Sequence, residues 1–574
     1  MALNLVNQVG ERNPQLFREI KGRLKPRNIL IAVTLSLLGQ LLVLMSFSAQ
    51  LPIVERLANA GRNGMFNRYC TGNKPSPYSS PNCSLDSFGG VEINWQLWWQ
   101  DVFMALSIAG VVILLIVGTY MLISDLSKEE QRSTLNFVRL TPQSSQSILI
   151  GKMLGVPILL YLIGFLAFPL HLAAGLSGEI SFGLMLGWYT LVAASCLLFY
   201  SVALLFGLTG TWLGNFQAWL GGGAILIFMW IMVVGFGIRE TTTQTPIDWI
   251  IVFNPSAWLS YLTDTNSITG DPGYASQGLT KLVVWGLPVG ASALSMLGVM
   301  LLNYAIWTYW AWVGLKRCFH NPKAPLFGKQ QSYWLTACFQ VVILGFAMNP
   351  MASYRSYHQG LFDNFQILML FNLLLFLGYI AALSPQRQAM QDWARYRHQN
   401  RSSRKGGVMA DLIWGEKSPA LVAIALNVAI ASSILLTWAI FGLTSQHKIP
   451  AVLAIFVSMS LILVYAAVAQ LILLMKSQKR ASLAAGAVGL LILVPQLMIA
   501  FLSQGGNVGS DLWLFSAFPW VAIKETSALT VFLAVIGQSL ATGLLSLQLT
   551  RKLRKAGESS TKALLSGRSP VAAD

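Results

Sequence analysis

The sequence contains little charge. Asp, Glu, Lys and Arg make up 11% of its 574 residues, whereas soluble globular domains average about 25%. Hydrophobic residues make up 55%, and the mean hydropathy is +0.58. Because each helical crossing of a membrane needs roughly 20 apolar residues, the many long apolar runs predict an all-α polytopic membrane protein and exclude a string of soluble domains.

Two kinds of chemistry are missing from the sequence. No G-x-x-x-x-G-K-[ST] motif occurs, so the chain lacks the phosphate-binding loop of a nucleotide hydrolase. No carboxylate lies in the middle of an apolar run, which argues against a proton-coupled carrier, since such a carrier needs a titrating relay. The residues indicate no catalytic site, no metal site and no cofactor in this chain.

Hydropathy predicts about twelve membrane-spanning helices. Their limits are 28–48, 102–123, 153–173, 182–208, 217–237, 289–315, 333–349, 364–383, 420–441, 450–475, 481–502 and 528–549. Several of these spans contain proline, which predicts tilted or kinked helices.

The spans fall into two groups of six. We expect a cytoplasmic amphipathic segment, two six-span halves and a basic cytoplasmic tail, at 1–27, 28–315, 316–549 and 550–574. After the fifth span of each half comes an aromatic-proline signal, FNPSAW at 253–258 and FPW at 518–520, which indicates parallel repeats. An unrelated six-span appendage is the competing interpretation of the second half.

The basic residues lie at the ends of the apolar runs. Of the 39 Lys and Arg residues, 30 fall in segments on the same side as the N-terminus and 9 on the opposite side. Because cytoplasmic loops are enriched in Lys and Arg, we expect both termini in the cytoplasm. The same placement accounts for the net charge of +17 without nucleic acid as a partner.

The five cysteines divide by position. Cys70 and Cys83 lie in the first outer loop, which is rich in Pro, Ser, Asn and Gly and has no apolar core of its own. A disulfide between them would stabilise that loop in an oxidising compartment. Cys196, Cys318 and Cys338 lie in or near spans and are expected to pack there.

A polar segment, SKEEQRSTLNFVRLTP at 127–142, separates spans two and three. Ser127 and Glu130 have the spacing of a capping box, and Pro142 would end a helix. Acidic residues suit the first turn of such a helix, and Arg139 suits its last turn. We therefore expect a short cytoplasmic helix that begins at Ser127; an ordinary solvated connector is the alternative.

This segment resembles the coupling helix of ABC-2 type ABC-transporter permeases. In that family an acidic-Arg-Gly-Thr-Leu stretch between spans two and three contacts the ATP-binding subunit. Ser133 stands where the family has glycine. The resemblance is specific over about residues 13–152 and extends in layout to about 315. The corresponding residues are Glu129, Glu130, Arg132, Thr134 and Leu135, followed by Thr141-Pro142 and Gly151-Lys152.

The N-terminal segment adds to the resemblance, because ABC-2 permeases have a similar amphipathic helix before span one. Asn13 can cap a helix with Pro14 at its first position, and Leu16, Ile20 and Leu24 fall on one face of it. We expect this helix to lie in the inner membrane interface. A generic basic anchor is the alternative.

The resemblance implies a permease subunit of an exporter in the cytoplasmic membrane of a prokaryote. Separate ABC ATP-binding subunits would be its partners, with ATP and Mg²⁺ bound there, and membrane lipids would surround the spans. In the second half, Asp411, Trp414 and Glu416 lie at the position equivalent to the coupling helix, without the Arg-x-Thr-Leu pattern.

Polar residues within predicted spans are candidates for a translocation path, because buried polar groups in a membrane are costly and are retained for function. The principal candidates are Gln40, Asn303, Asn372 and Asn427.

Two other functions stay open at this point. A polytopic enzyme, such as a glycosyltransferase using a lipid-linked sugar, would place acidic residues in the first outer loop, where Glu55, Asp86, Glu92 and Asp101 lie. No two of these four residues are adjacent. A non-transporting envelope scaffold built on the same frame is the third hypothesis.

Overall fold

The structure is a computed structural model of the chain. Within the residues that it describes, no β-strand occurs, and only three isolated bridges pair extended segments. Ten helices among these residues are long and apolar enough to cross a membrane. The prediction of an all-α polytopic membrane protein is therefore confirmed. The described residues are 10–52, 66–73, 80–85, 90–210, 213–238, 244–262, 279–322, 324–348, 357–399, 407–503 and 510–557.

Two of the twelve predicted spans are not among the ten. The predicted span at 217–237 corresponds to helix Phe216–Ile238, whose described apolar stretch, Phe216–Met232, is shorter than a membrane crossing. The predicted span at 333–349 corresponds to helix Lys329–Ala347. That helix begins with Lys-Gln-Gln-Ser and also contains Gln340, so its mean hydropathy is low.

The chain forms two compact units. The first comprises Met1–Thr242, Asp248–Val283 and Leu287–Pro322, and the second comprises Thr243–Ile247, Val284–Gly286 and Lys323–Asp574. The predicted division between 315 and 316 falls inside a helix of the first unit that ends at His320.

In the first unit, the long helix α3 is central. It packs against α6, α7 and α8, while α2 packs against α6, α7 against α10, and α1 against α5. Buried positions of α3 such as Val111, Leu115 and Leu122 recur at helical spacing, which gives it a continuous apolar face. The helices are α1 Pro14–Arg23, α2 Pro26–Ser48, α3 Trp95–Gln131, α4 Thr134–Arg139, α5 Ser145–Gly155, α6 Ile158–Ser177, α7 Phe182–Thr209, α8 Phe216–Ile238, α9 Asp248–Ile251 and α10 Ala293–His320.

In the second unit, α16 is central. It packs against α12, α15, α17 and α18, while α11 packs against α15 and α13 against α18. Met390 and Ala394 of α13 are buried against Leu471, Leu549 and Leu553. The helices are α11 Lys329–Ala347, α12 Tyr357–Leu383, α13 Arg387–Gln399, α14 Val408–Trp414, α15 Leu421–Gly442, α16 Ser445–Leu473, α17 Arg480–Ser503 and α18 Ala528–Gly557.

The predicted helix start at Ser127 is wrong. Ser127 lies inside α3, which continues to Gln131, and its hydroxyl donates to the carbonyl of Gly214 at 3.2 Å. Lys, Glu and Gln are good helix formers, so the polar run extends the membrane helix instead of starting a new one. The chain turns at Ser133, whose φ of 56° is left-handed, and α4 begins at Thr134.

Replacing Ser133 by Gly is expected to stabilise the protein by about 1 kcal/mol. A residue with a Cβ atom loses roughly 1–2 kcal/mol in the left-handed region, and the larger unfolded-state entropy of glycine offsets part of the gain. The thermal unfolding midpoint of the purified protein in detergent measures this effect. Ser133→Ala keeps the Cβ atom and should give no gain; a lower midpoint for Ser133→Gly would contradict the prediction.

The predicted first outer loop is tied together in two ways. Cys70 and Cys83 form a disulfide. Next to it, the buried carboxylate of Asp101 accepts from Arg68 at 2.9 Å and from the hydroxyl of Tyr69 at 3.0 Å. The loop is therefore anchored to the first turns of α3.

Candidate functional site

A buried cluster of ion pairs joins α1, α3 and α5 in the first unit. At its centre lies Lys152 of α5, whose side chain is 0% exposed. Its Nζ donates to Asp125 Oδ2 at 2.7 Å and to Glu19 Oε1 at 3.4 Å, and it lies 2.8 Å from Glu129 Oε2. Three segments that are distant in sequence thus meet at one ammonium group.

Two arginines of α1 complete the cluster. Arg23 pairs with Asp125 at 2.6 Å and with Glu19 at 3.2 Å, and Arg18 pairs with Glu129 at 2.6 Å. Each carboxylate therefore contacts more than one cation, and the three positive charges of the cluster balance the three negative charges. Such full pairing is what makes buried charges tolerable, because desolvating an unpaired ion costs several kcal/mol.

Burial and the neighbouring carboxylates have opposite effects on the pKa of Lys152. Burial alone would lower that pKa, but the negative charges of Asp125, Glu129 and Glu19 outweigh it and hold the pKa above its ordinary value. Lys152 is therefore charged at neutral pH, and its contribution to stability is lost only when the pH rises above the ordinary range of lysine.

The three carboxylates could in principle hold a metal ion. One oxygen atom from each of Glu19, Asp125 and Glu129 lies within 4.8 Å of the others. However, the ammonium group of Lys152 lies among these oxygens, and Arg18 and Arg23 supply two further charges. The donor set is thus matched to side-chain cations and does not fit an additional divalent ion.

Close backbone contact between α1 and α5 depends on two glycines. A Cβ atom at Gly151 would lie 2.8 Å from Asn13 Oδ1, and one at Gly155 would lie 2.5 Å from Glu19 Cβ. Asn13 caps α1 by accepting from the amide of Leu16 at 3.0 Å, and it also donates to the carbonyl of Ser147 at 2.8 Å. The Gly-Lys pair at 151–152 is therefore part of the surface of α5 against which α1 packs.

Helix α1 turns polar side chains toward α5. Its buried side chains are Gln15 and Glu19, whereas the apolar face of Leu16, Ile20 and Leu24 is only half-buried. The ion pairs favour this orientation, because Glu19 must turn inward to reach Lys152. The amphipathic helix therefore buries polar side chains against α5.

The short helix α4 follows directly on the cluster. Leu135 and Val138 are buried, whereas Phe137 and Leu140 are 73% and 82% exposed. The Thr134 hydroxyl donates to the carbonyl of Glu129 at 3.1 Å. The structure therefore leaves two large apolar side chains exposed on and directly after α4.

The predicted coupling residues have different surroundings. The carboxylate of Glu129 is occupied in the cluster, and Glu130 lies 3.6 Å from Arg139, whose guanidinium lies over the Phe319 ring. Arg132 is exposed. The sequence analysis missed Phe137 and Leu140 because it considered only the charged residues of this segment. Two large apolar residues within a polar connector could have indicated an exposed contact surface.

In the second unit, a buried lysine holds α14. The Nζ of Lys329 donates to the Leu412 carbonyl at 2.7 Å, the Ser418 hydroxyl at 2.6 Å and the Pro419 carbonyl at 3.1 Å. A cation suits this position, since the carbonyl end of a helix carries partial negative charge. Lys329 thus fastens α14 and the segment after it to α11.

The predicted residues of α14 and its flank are partly exposed. Asp411 pairs with Arg397 at 3.3 Å, and Trp414 is 56% exposed with its ring edge-on to Tyr333 at 5.8 Å. Glu416 is exposed and acts on Lys329 through its charge.

The stability of the second unit is expected to rise with pH through the titration of Lys329. Burial lowers the pKa of Lys329 to about 8, and the charges of Asp411 and Glu416 only partly oppose this effect. An unfolded lysine titrates near 10.5, so between these values the unfolded state binds more protons and the free energy of unfolding increases with pH. Unfolding midpoints of the wild type and of Lys329→Met across this window measure the effect; parallel curves would contradict it.

Two of the predicted path residues lie in the first unit. Gln40 donates to the Ser36 hydroxyl at 3.0 Å, and Ser36 in turn donates to a carbonyl of α6. Asn303 accepts from the indoles of Trp249 and Trp307 at 3.1 and 2.9 Å. Both residues take part in contacts between neighbouring elements.

The other two path candidates lie in the second unit and are fully buried. Asn372 accepts from Gln340 at 2.6 Å. Asn427 accepts from the Thr336 hydroxyl at 2.6 Å and donates to the Ser332 hydroxyl at 2.8 Å. These bonds join α11 to α12 and to α15, so the structure brings the two amides into helix packing.

The acidic residues of the enzyme hypothesis are only partly covered by the structure. Glu55 and Asp86 lie outside the described residues. Asp101 is engaged with Arg68 and Tyr69, and Glu92 accepts from the hydroxyls of Thr71 and Ser84. The two described carboxylates therefore serve contacts within the loop.

No protein-family model, no curated protein and no solved structure matches the chain. The functional assignment therefore depends on the residues and contacts of the chain itself.

Proposed function

We propose that the chain is the membrane-spanning permease subunit of an ABC exporter, driven by separate ATP-binding subunits that carry ATP and Mg²⁺. The supporting observation is α4, a short helix fixed at the end of the 37-residue helix α3, with Phe137 and Leu140 exposed. A contiguous exposed apolar patch can mark an interaction surface, and Phe137 and Leu140 lie one helical turn apart. A cleft in a partner would bury both residues.

The proposed transmission path starts at this surface. Force applied to α4 reaches α3 through the contacts between the two helices and the bond from Thr134 to Glu129. The ion-pair cluster links α3 to α1 and α5, and α3 itself packs against α6, α7 and α8. A push on α4 therefore acts on most of the helices of the first unit as one body.

We infer that the second unit is a diverged copy of the first, which gives twelve spans in two halves. The pairing of helices supports this inference. The first span pairs with the third in α2–α6 and α11–α15, the second with the fourth in α3–α7 and α12–α16, and the fourth with the sixth in α7–α10 and α16–α18. Helix α14 then corresponds to the coupling segment, with Met409 and Trp414 66% and 56% exposed.

The proposed orientation places both termini, α4 and α14 in the cytoplasm. It follows from the bias of 30 to 9 in Lys and Arg. The proposed location is the cytoplasmic membrane of a prokaryote, where the ATP-binding subunits would have access to ATP.

Co-purification tests the proposal. The full chain is co-expressed with the ABC ATP-binding subunits of its genome, and one of them is expected to co-purify and to hydrolyse ATP. Replacing Phe137 and Leu140 by Ala should lower the recovered ATPase by about tenfold or more, because a buried aromatic anchor contributes at least about 2 kcal/mol to an interface.

Phe165→Ala is the matched control, because Phe165 is also 73% exposed but lies on α6. This variant should retain the partner. If no ATP-binding subunit co-purifies with the wild type, or if the two variants behave alike, the proposed function is wrong.

A further inference from the structure

A cavity of about 770 Å³ opens in the second unit between α11, α12 and α15. Its walls are mainly apolar and include Leu344, Met348, Ile434, Trp438 and Phe441. Pockets for small ligands typically measure about 300–1,000 Å³ and are mostly apolar. The size and the lining are therefore those of a ligand site.

The hydroxyl groups that line the cavity are already hydrogen-bonded. Among the described residues, Ser433 and Thr437 contribute these hydroxyl groups. Ser433 donates to the Ile430 carbonyl at 2.8 Å, and Thr437 donates to the Ser433 carbonyl at 2.8 Å. Both hydroxyl protons are used within α15, so the described wall offers mainly hydrocarbon and ring contacts. This chemistry fits an alkyl chain.

One edge of the cavity is formed by a turn in an unusual conformation. Trp285 and Gly286 have φ angles of 53° and 75°, in the region that residues with bulky side chains avoid. The amide of Trp285 donates to the Gly345 carbonyl at 2.9 Å, and a Cβ atom at Gly345 would lie 2.5 Å from the Trp285 indole. The glycine thus allows the indole to lie directly on α11, and the strain of the turn indicates a function.

The helices around the cavity are fixed at their other end. There, Thr336 and Ser332 of α11 bond to Asn427 of α15, and Lys329 bonds to Ser418. The cavity lies toward the opposite ends of the same two helices, near Met348 and Gly442. Helices α11 and α15 are therefore joined by polar bonds at one end and line the apolar cavity at the other.

We propose that this cavity binds one hydrocarbon chain of a membrane phospholipid, with the Trp285 indole covering it. The chain enters beside Phe441, which is 83% exposed near the end of α15. Lipid is the occupant because α12 and α15 are apolar enough to cross a membrane and therefore lie in it. This site is independent of any ATP-binding partner.

Photolabelling of the full chain tests the proposal. The purified protein is placed in vesicles of phosphatidylethanolamine and phosphatidylglycerol that contain a phosphatidylcholine with a diazirine at the end of one acyl chain. Label is expected to concentrate on peptides that contain Trp285 and residues 433–442. Leu344→Trp fills the cavity and should lower this labelling by about tenfold, the equivalent of about 1.4 kcal/mol of binding.

Val341→Trp is the matched control, because Val341 is half exposed on the same helix and does not line the cavity. It should leave the labelling unchanged. Labelling spread evenly over the exposed apolar residues, or equal in the two variants, would overturn the proposal.

If Leu344→Trp does not fold, a second variant tests the same cavity. Gly345→Ala places a methyl group against the Trp285 indole and should displace it. The labelled lipid is then expected to exchange out of the cavity about tenfold faster, in proportion to the lost affinity. An unchanged exchange rate would contradict the role given to Trp285.

Discussion

Replacing Lys152 by Met is expected to destabilise the protein by about 3–5 kcal/mol and to release α1. Removing one partner from a buried ion cluster leaves the others charged and desolvated, and such losses are of this size. Glu19, Asp125 and Glu129 are 8%, 18% and 14% exposed, so water replaces the ammonium group poorly. The unfolding midpoint in detergent and the hydrogen exchange of the amides of Pro14–Arg23 measure the two effects.

Lys128→Met is the control for this substitution. Lys128 lies on the same end of α3 but is exposed, and exposed substitutions usually change stability by less than about 0.5 kcal/mol. If Lys152→Met leaves both the midpoint and the protection of α1 as in the control variant, the cluster does not hold α1.

Replacing Gly155 by Leu should displace α1 by steric contact alone, at a cost of about 2–3 kcal/mol. The new Cβ atom would lie 2.5 Å from Glu19 Cβ, and overpacking of a tight contact costs energy of this order. The leucine side chain would push Glu19 away from Lys152, and the ion pair between these two residues would be lost. The same hydrogen-exchange measurement on Pro14–Arg23 reports the displacement.

Gly164→Leu provides the comparison for the steric effect. Gly164 lies on α6, and a Cβ atom there meets nothing within 4 Å. The comparison variant should keep α1 protected. Equal protection of α1 in both leucine variants would mean that Gly155 is not needed for the contact.

Hydropathy was sufficient for the membrane character of the chain, because apolar runs of span length are a local property. The predicted span at 333–349 is not among the ten long apolar helices of the described residues, because polar residues at the start of α11 lower its mean hydropathy. The predicted helix start at Ser127 was wrong because the residues of the capping box are also good helix formers, and α3 continues through them. Ser133 stands where the ABC-2 pattern has glycine, and it adopts the left-handed conformation that glycine favours.

The ion-pair cluster could not be predicted from the sequence. Glu19 lies more than a hundred residues before Asp125 and Lys152. Asp125 and Lys152 are separated by a turn whose geometry the sequence does not give, so no local spacing relates the three residues. In the sequence, Lys152 is part of the Gly-Lys pair before a predicted span, and nothing in that pattern indicates burial among carboxylates. Only the close approach of α1 to Gly151 and Gly155 makes it a buried partner.

Site-specific photocrosslinking at position 137 tests the proposed coupling surface most directly. A photoreactive amino acid replaces Phe137 in the full chain, and Phe165 serves as the comparison position with the same exposure. The account predicts a crosslink to an ATP-binding subunit at position 137 and none at position 165. A crosslink at neither position, or at both positions alike, would contradict the claim that α4 receives the force of a separate ATPase.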